Sequence, residues 1–122
     1  MRTMLLTLLV VTLPMQAHHS FAAEFDSSKP VTLTGKFVSM DWINPHSWLH
    51  IAVINAAGQV EQWRCETPPP NGLYRSGWRR DMVKAGDDVT VSGFLAKDGT
   101  HTLWSQNVAL PNGSHITLGS AP

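Results

Sequence analysis

Six histidines carry most of the chemistry open to this 122-residue chain: His18, His19, His46, His50, His101 and His115. If the chain is cut after Ala17, His18 leads the mature protein and offers an α-amino nitrogen and an imidazole to the same ion, closing a six-membered chelate. A third nitrogen from His19 or His46 completes a T-shaped or square set. Amine and imidazole donors suit Cu(II), which stands highest in the divalent affinity order. His46 and His50 cannot share an ion if both lie on one strand, because four residues at ~3.3 Å each put them about 13 Å apart. His46 follows the Asn44-Pro45 turn, where loops position ligands, and is the better candidate of the two. The plainer alternatives are that His18-His19 is a solvated tail and that His46 caps backbone groups in its turn. His101 and His115 sit at strand starts and suggest no role.

A second set of residues could hold a planar or anionic ligand. Tyr74-Arg75-Ser76-Gly77-Trp78-Arg79-Arg80 puts three arginines beside two aromatics, a composition fit for bidentate and stacking contacts. The structural alternative is a short plug helix with Leu73, Trp78 and Met82 inward and its arginines snorkelling outward. Trp42, Trp48 and Trp104, with His50 beside Trp48, could supply contacts on an outward strand face. Cys65 is the single cysteine, so an intrachain disulfide is excluded; sharing a face with Trp63, it reads as a small buried hydrophobe. Catalytic patterns are missing. Glu61 and Glu66 are five apart and face opposite sides of a strand, Asp87-Asp88 is a turn pair, and neither a nucleophile elbow nor a phosphate loop occurs. The chain is expected to bind rather than to catalyse, and not to be an enzyme.

These side chains must be positioned by a small domain that starts behind a targeting segment. Arg2, the apolar run Met4–Leu13, Pro14 and Met15-Gln16-Ala17 have the three-part layout of a secretory signal. The run is short of the ~20 residues that span a bilayer. Cleavage after Ala17 is expected; a cut after Ala22 fits the small-x-small rule but lies far from the apolar run. The expected division is signal peptide 1–17, an irregular N-terminal extended arm 18–30, and a domain over 31–122. Without Arg2 the formal charge is −1. That argues against nucleic acid, which demands a Lys/Arg excess, and against anionic lipid. The product is expected in the periplasm, without stable membrane insertion.

Alternation of period two marks the strands. One runs from Val31 to Trp42; past Gly35 both Phe37 and Val38 are apolar, and a glycine followed by this parity shift suggests a β-bulge or sharp bend. Others are Ser47–Ile54, Val60–Glu66, Val89–Leu95 and His101–Leu110, with a short end strand His115–Leu118. Asn71 is a plausible N-cap for a short helix over about 72–80. Three strands, a short helix and two more strands spell an all-β fold: a small OB-like Greek-key barrel of five to six strands with the helix between the third and fourth. A small sandwich is the alternative.

Five segments form a recognisable set: Ala17-His18-His19-Ser20-Phe21-Ala22-Ala23-Glu24-Phe25-Asp26, Lys29–Gly35, Trp42-Ile43-Asn44-Pro45-His46, Arg75-Ser76-Gly77-Trp78 and Lys84–Gly93. Together they resemble a family of small exported proteobacterial proteins classed as a domain of unknown function. The resemblance implies export, one domain and an OB-like barrel, and carries no catalytic residue. In position alone, His18 resembles the N-terminal histidine brace of copper oxygenases and periplasmic copper carriers. Two functions follow as expectations. One is a periplasmic binding protein holding copper through His18, His19 and His46. The other is a metal-free adaptor for a small ligand or a periplasmic protein, with Trp42, Trp48, His50, Arg75, Trp78 and Arg79 as contacts.

Overall fold

Alternating side chains build the wall of this molecule. In strand β2 (Ser47–Ile54), Leu49 and Ile51 are fully buried and Val53 nearly so, while Trp48, His50 and Ala52 turn to the other face. Strand β3 (Val60–Thr67) pairs with β2 as a hairpin, Cys65 opposite Leu49 and Glu66 opposite Trp48. The computed structural model describes residues 21–119. It begins with one turn of helix, α1 (Phe21–Glu24), which leads into the 17-residue β1 (Phe25–Asp41). After β3 come α2 (Pro70–Arg75) and a single 3₁₀ turn at Arg80–Met82. Strands β4 (Asp88–Ala96), β5 (Thr102–Ala109) and β6 (His115–Thr117) complete the chain.

The hydrogen-bonded order is β3-β2-β1-β4-β5-β6, and β3 also pairs with β5. Long β1 is antiparallel to both β2 and β4, serving two neighbours along its length. The β3–β5 pairing is parallel, from Arg64 opposite Thr102 to Glu66 opposite Trp104. That seam turns five strands into a ring and removes their open edges. The result is the OB-like Greek-key barrel expected, with a short helix between the third and fourth strands. The plug works as its spacing predicts: Leu73 and Trp78 reach 0 % exposure beside Leu49, Ile51, Cys65, Val91, Leu103 and Val108. Among the described residues no helix is long and apolar enough to cross a membrane.

Three local expectations are corrected. The arm expected to stay irregular to Pro30 is helical at Phe21–Glu24 and already strand from Phe25. The reason is aromatic: Phe21 and Phe25 are 8 % and 3 % exposed and stack at 5.9 Å, so burial orders what the polar stretch Asp26–Lys29 disguises. The bulge falls between Phe37 and Ser39, not at Gly35. It pushes Val38 out to 44 % exposure while Phe37 stays in. Gly35 serves instead as a close-approach residue, because a Cβ there would lie 2.5 Å from the Ala52 carbonyl oxygen. The helix spans Pro70–Arg75 rather than 72–80, and its N-cap is Pro69 rather than Asn71. Pro70 sits at the first helical position, where its missing N–H costs nothing. Gly77, at φ 94°, ends the helix in the left-handed conformation that follows many helix C-termini.

Candidate functional site

A second, smaller aromatic cluster lies on the outside of the barrel, over the seam. On β5 the outward residue is Trp104, which is in register with Phe94 of β4 and Glu66 of β3. Phe21 meets Trp104 edge-on at 5.3 Å and Phe94 at 5.8 Å; Phe25 meets Trp104 at 5.7 Å. Neither Phe21 nor Phe25 belongs to the main core. They pin the start of the described chain to the outer wall. Lys97 strengthens the anchor by donating its ammonium to the Ala22 carbonyl.

His46 stands at the rim of this cluster. Its ring is perpendicular to that of Trp104, with centroids 6.2 Å apart. Its Nδ1 contacts Oε1 of Glu66. The imidazole is 40 % exposed while the Glu66 side chain is 6 % exposed. Burial pushes the Glu66 carboxyl above its usual range; the His46 imidazole pulls the other way, and the nearby Glu24 carboxylate adds to the rise. With Nδ1–H donated to a carboxylate, the lone pair of His46 rests on Nε2. That is the arrangement that orients metal-ligating histidines and raises their basicity.

Two further histidines also meet carboxylates. His50 Nε2 lies 2.8 Å from Asp41 Oδ2, and His101 Nε2 lies 3.0 Å from Glu61 Oε2. His101 stacks on Trp63 at 4.7 Å, a packing role its strand-start position does not announce. His115 is exposed on β6. His18 and His19, and the cleavage point at Ala17, lie outside the described residues. Among the described residues no group of three or more His, Cys, Asp or Glu could hold a metal ion. His46 and Glu66 are therefore at most part of a donor set, which must be completed from elsewhere.

Next to this pair the outer wall opens into a cleft of about 600 Å³. Trp48, Arg64 and Glu66 line it from β2 and β3, and Glu24 and Phe25 from the chain start. The Arg64 guanidinium lies over the Trp48 ring at 3.9 Å. Of the six ligand contacts expected from the sequence, Trp48 alone lines the cleft. His50 is held by Asp41. Trp42 stacks on Tyr74 at 5.4 Å and lies under Arg80. Trp78 is buried in the plug. Arg79 spends Nη1 on the carbonyls of Tyr74 and Trp78. Arg75 is exposed at the end of α2.

Sequence reasoning missed Glu66, Arg64, Glu24 and the anchoring phenylalanines. Glu66 and Arg64 fall on the outward parity of β3, which reads as a solvated polar face. The available signal was the pair of aromatics, Phe21 and Phe25, in an otherwise small and polar stretch ahead of Val31.

A search of curated proteins finds no match to this chain. Among solved structures the chain is similar to apo TiaS, a tRNAIle2 agmatidine synthetase, at 20 % identity and a TM-score of 0.47. That likeness covers 70 % of this chain and 18 % of the other, so the chain spans under a fifth of that protein's length. Residues 6–117, nearly the whole chain, match the profile of a family of unknown function, DUF6152, and the protein belongs to that family.

Proposed function

We propose that this is a periplasmic copper-binding protein whose metal is held by His18, through its α-amino and ring nitrogens, together with His46. The observation that carries the reading is the shared contact on Trp104: Phe21 and His46 both pack edge-on against that ring. His18 precedes Phe21 by three residues, a chain reach of at most about 11 Å. On this reading an amino terminus starting at His18 reaches His46. The buried Glu66 carboxylate behind His46 supports the same reading, since it leaves Nε2 exposed as a donor. Amine and imidazole nitrogens favour Cu(II) over the other divalent ions. His19 is the alternative third donor.

The reading requires export and cleavage after Ala17. The test is to recover the protein from the periplasm, sequence its N-terminus and titrate it with Cu(II), then repeat with the α-amine of His18 acetylated. Acetylation abolishes the amine–imidazole chelate without creating another, and affinity should fall at least 100-fold. A mature chain beginning at Ala23, or an affinity indifferent to acetylation, rejects the proposal.

A second reading, a small-ligand adaptor working on the outer wall without metal, is favoured by the open cleft beside Arg64 and Trp48.

A further inference from the structure

The cleft on the outer wall has a charge layout that selects among ligands. Its volume, about 600 Å³, lies within the range of small-molecule sites. Among the described residues Arg64 makes no ion pair: the salt bridges use Lys36, His46, His50 and His101. Its guanidinium is nevertheless held over the Trp48 ring at 3.9 Å, which restrains a planar fork suited to a carboxylate. The other cation of the cleft, Lys97, is committed to the Ala22 carbonyl. Acidic groups line the same cleft as this fork: Glu66, two residues along β3 from Arg64, and Glu24 from the chain start. Asp98, a third lining carboxylate, is turned onto its own loop, accepting from the Thr100 amide and hydroxyl. Ala23, Phe25 and Ala96 add apolar lining.

A simple anion entering this cleft meets Arg64 but also two carboxylates. A simple cation meets the carboxylates but also Arg64. A molecule carrying both charges meets Arg64 and a carboxylate at once. We infer that the cleft binds a small zwitterion of the α-amino-acid class, its carboxylate on Arg64, its ammonium towards Glu24 and Glu66, and its side chain against Phe25. This inference rests on the adaptor reading of the outer wall; it shares Glu66 with the copper reading, and the titration is therefore done without metal.

The test is calorimetric titration of the EDTA-treated mature protein with four probes that share one side chain. They are phenylalanine, N-acetylphenylalanine (carboxylate only), phenylalaninamide (ammonium only) and N-acetylphenylalaninamide (uncharged). Phenylalanine should bind saturably, and each of the others at least tenfold more weakly. Arg64→Gln, at an exposed position, should keep the Tm and lower phenylalanine affinity at least tenfold while leaving phenylalaninamide unchanged. Arg64→Lys, which keeps the charge but loses the fork, should fall between. If a singly charged or uncharged probe binds as tightly as phenylalanine, zwitterion recognition is overturned and the adaptor reading stands. If none of the four binds, both are overturned.

Discussion

Glu66 and Cys65 are chain neighbours with opposite surroundings, and each makes a separate prediction. Glu66 points outward, under His46 and the anchored chain start; Cys65 points into the barrel at 0 % exposure. For the carboxylate, its worth is the orientation of His46. Glu66→Gln keeps the shape but removes the negative charge behind the imidazole, and should lower Cu(II) affinity about 10–100-fold, read by competition with a chelator of known affinity. For the thiol, burial pushes the pKa from 9.0 to about 12. The native protein should resist alkylation by iodoacetamide at pH 8 and react once unfolded in urea, because the thiolate is the nucleophile. The same shift sets a sign for stability. The unfolded chain releases the proton near pH 9 and the folded chain holds it to about 12. The native state therefore binds more protons across that window, and stability falls as pH rises through it. Urea melts at pH 8 and pH 10.5 should show a larger drop in the midpoint for the native protein than for Cys65→Ala.

At the scale of elements, the long first strand and the chain start ahead of it do the positioning. Gly35 lets β1 press close to β2, and an added methyl would lie 2.5 Å from backbone oxygen rather than from a flexible side chain. Gly35→Ala should cost about 2 kcal/mol, a fall in Tm on the order of 10 °C for a domain of this size, measured by thermal melting. Phe21 works differently. Its ring joins α1 to Trp104, Phe94 and Phe25 outside the main core. Phe21→Ala should cost somewhat less than the ~3–5 kcal/mol of a core aromatic truncation. If copper is held as proposed, it should also weaken copper binding at temperatures where the barrel remains folded, because Phe21 anchors the start of the described chain to Trp104. A variant that melts lower yet binds copper as tightly would separate anchoring from binding and count against that role.

These elements were unevenly legible in the chain. Strands β2 to β5 follow from alternation, since one buried face forces period two. The plug follows from the spacing of Leu73 and Trp78. The start of β1 was hidden because Asp26-Ser27-Ser28-Lys29 carries no alternation, and what orders it are two aromatics that bury against strands far along the chain. The bend was tied to the glycine, whereas the bulge falls three residues later, at Val38, where the parity shifts. Of the site, His46 and Trp48 were legible as residue types at a turn and on an outward face. Glu66 and Arg64 were not. A polar residue on a strand's outer face becomes a site only when another part of the chain covers it, and that depends on barrel closure and on where the N-terminal segment lies.

For the whole molecule, ring closure and chain entry meet at one place. The parallel β3–β5 seam sets Glu66 beside Trp104, and the same tryptophan receives both Phe21 and His46. The copper proposal adds that a leading histidine meets the His46 imidazole at this place. The most direct measurement of that idea is electron paramagnetic resonance of the mature protein loaded with one equivalent of Cu(II), compared with His46→Ala. The account predicts nitrogen splittings from three equatorial donors in the native protein and from two in the variant. Identical spectra from the two proteins would contradict it.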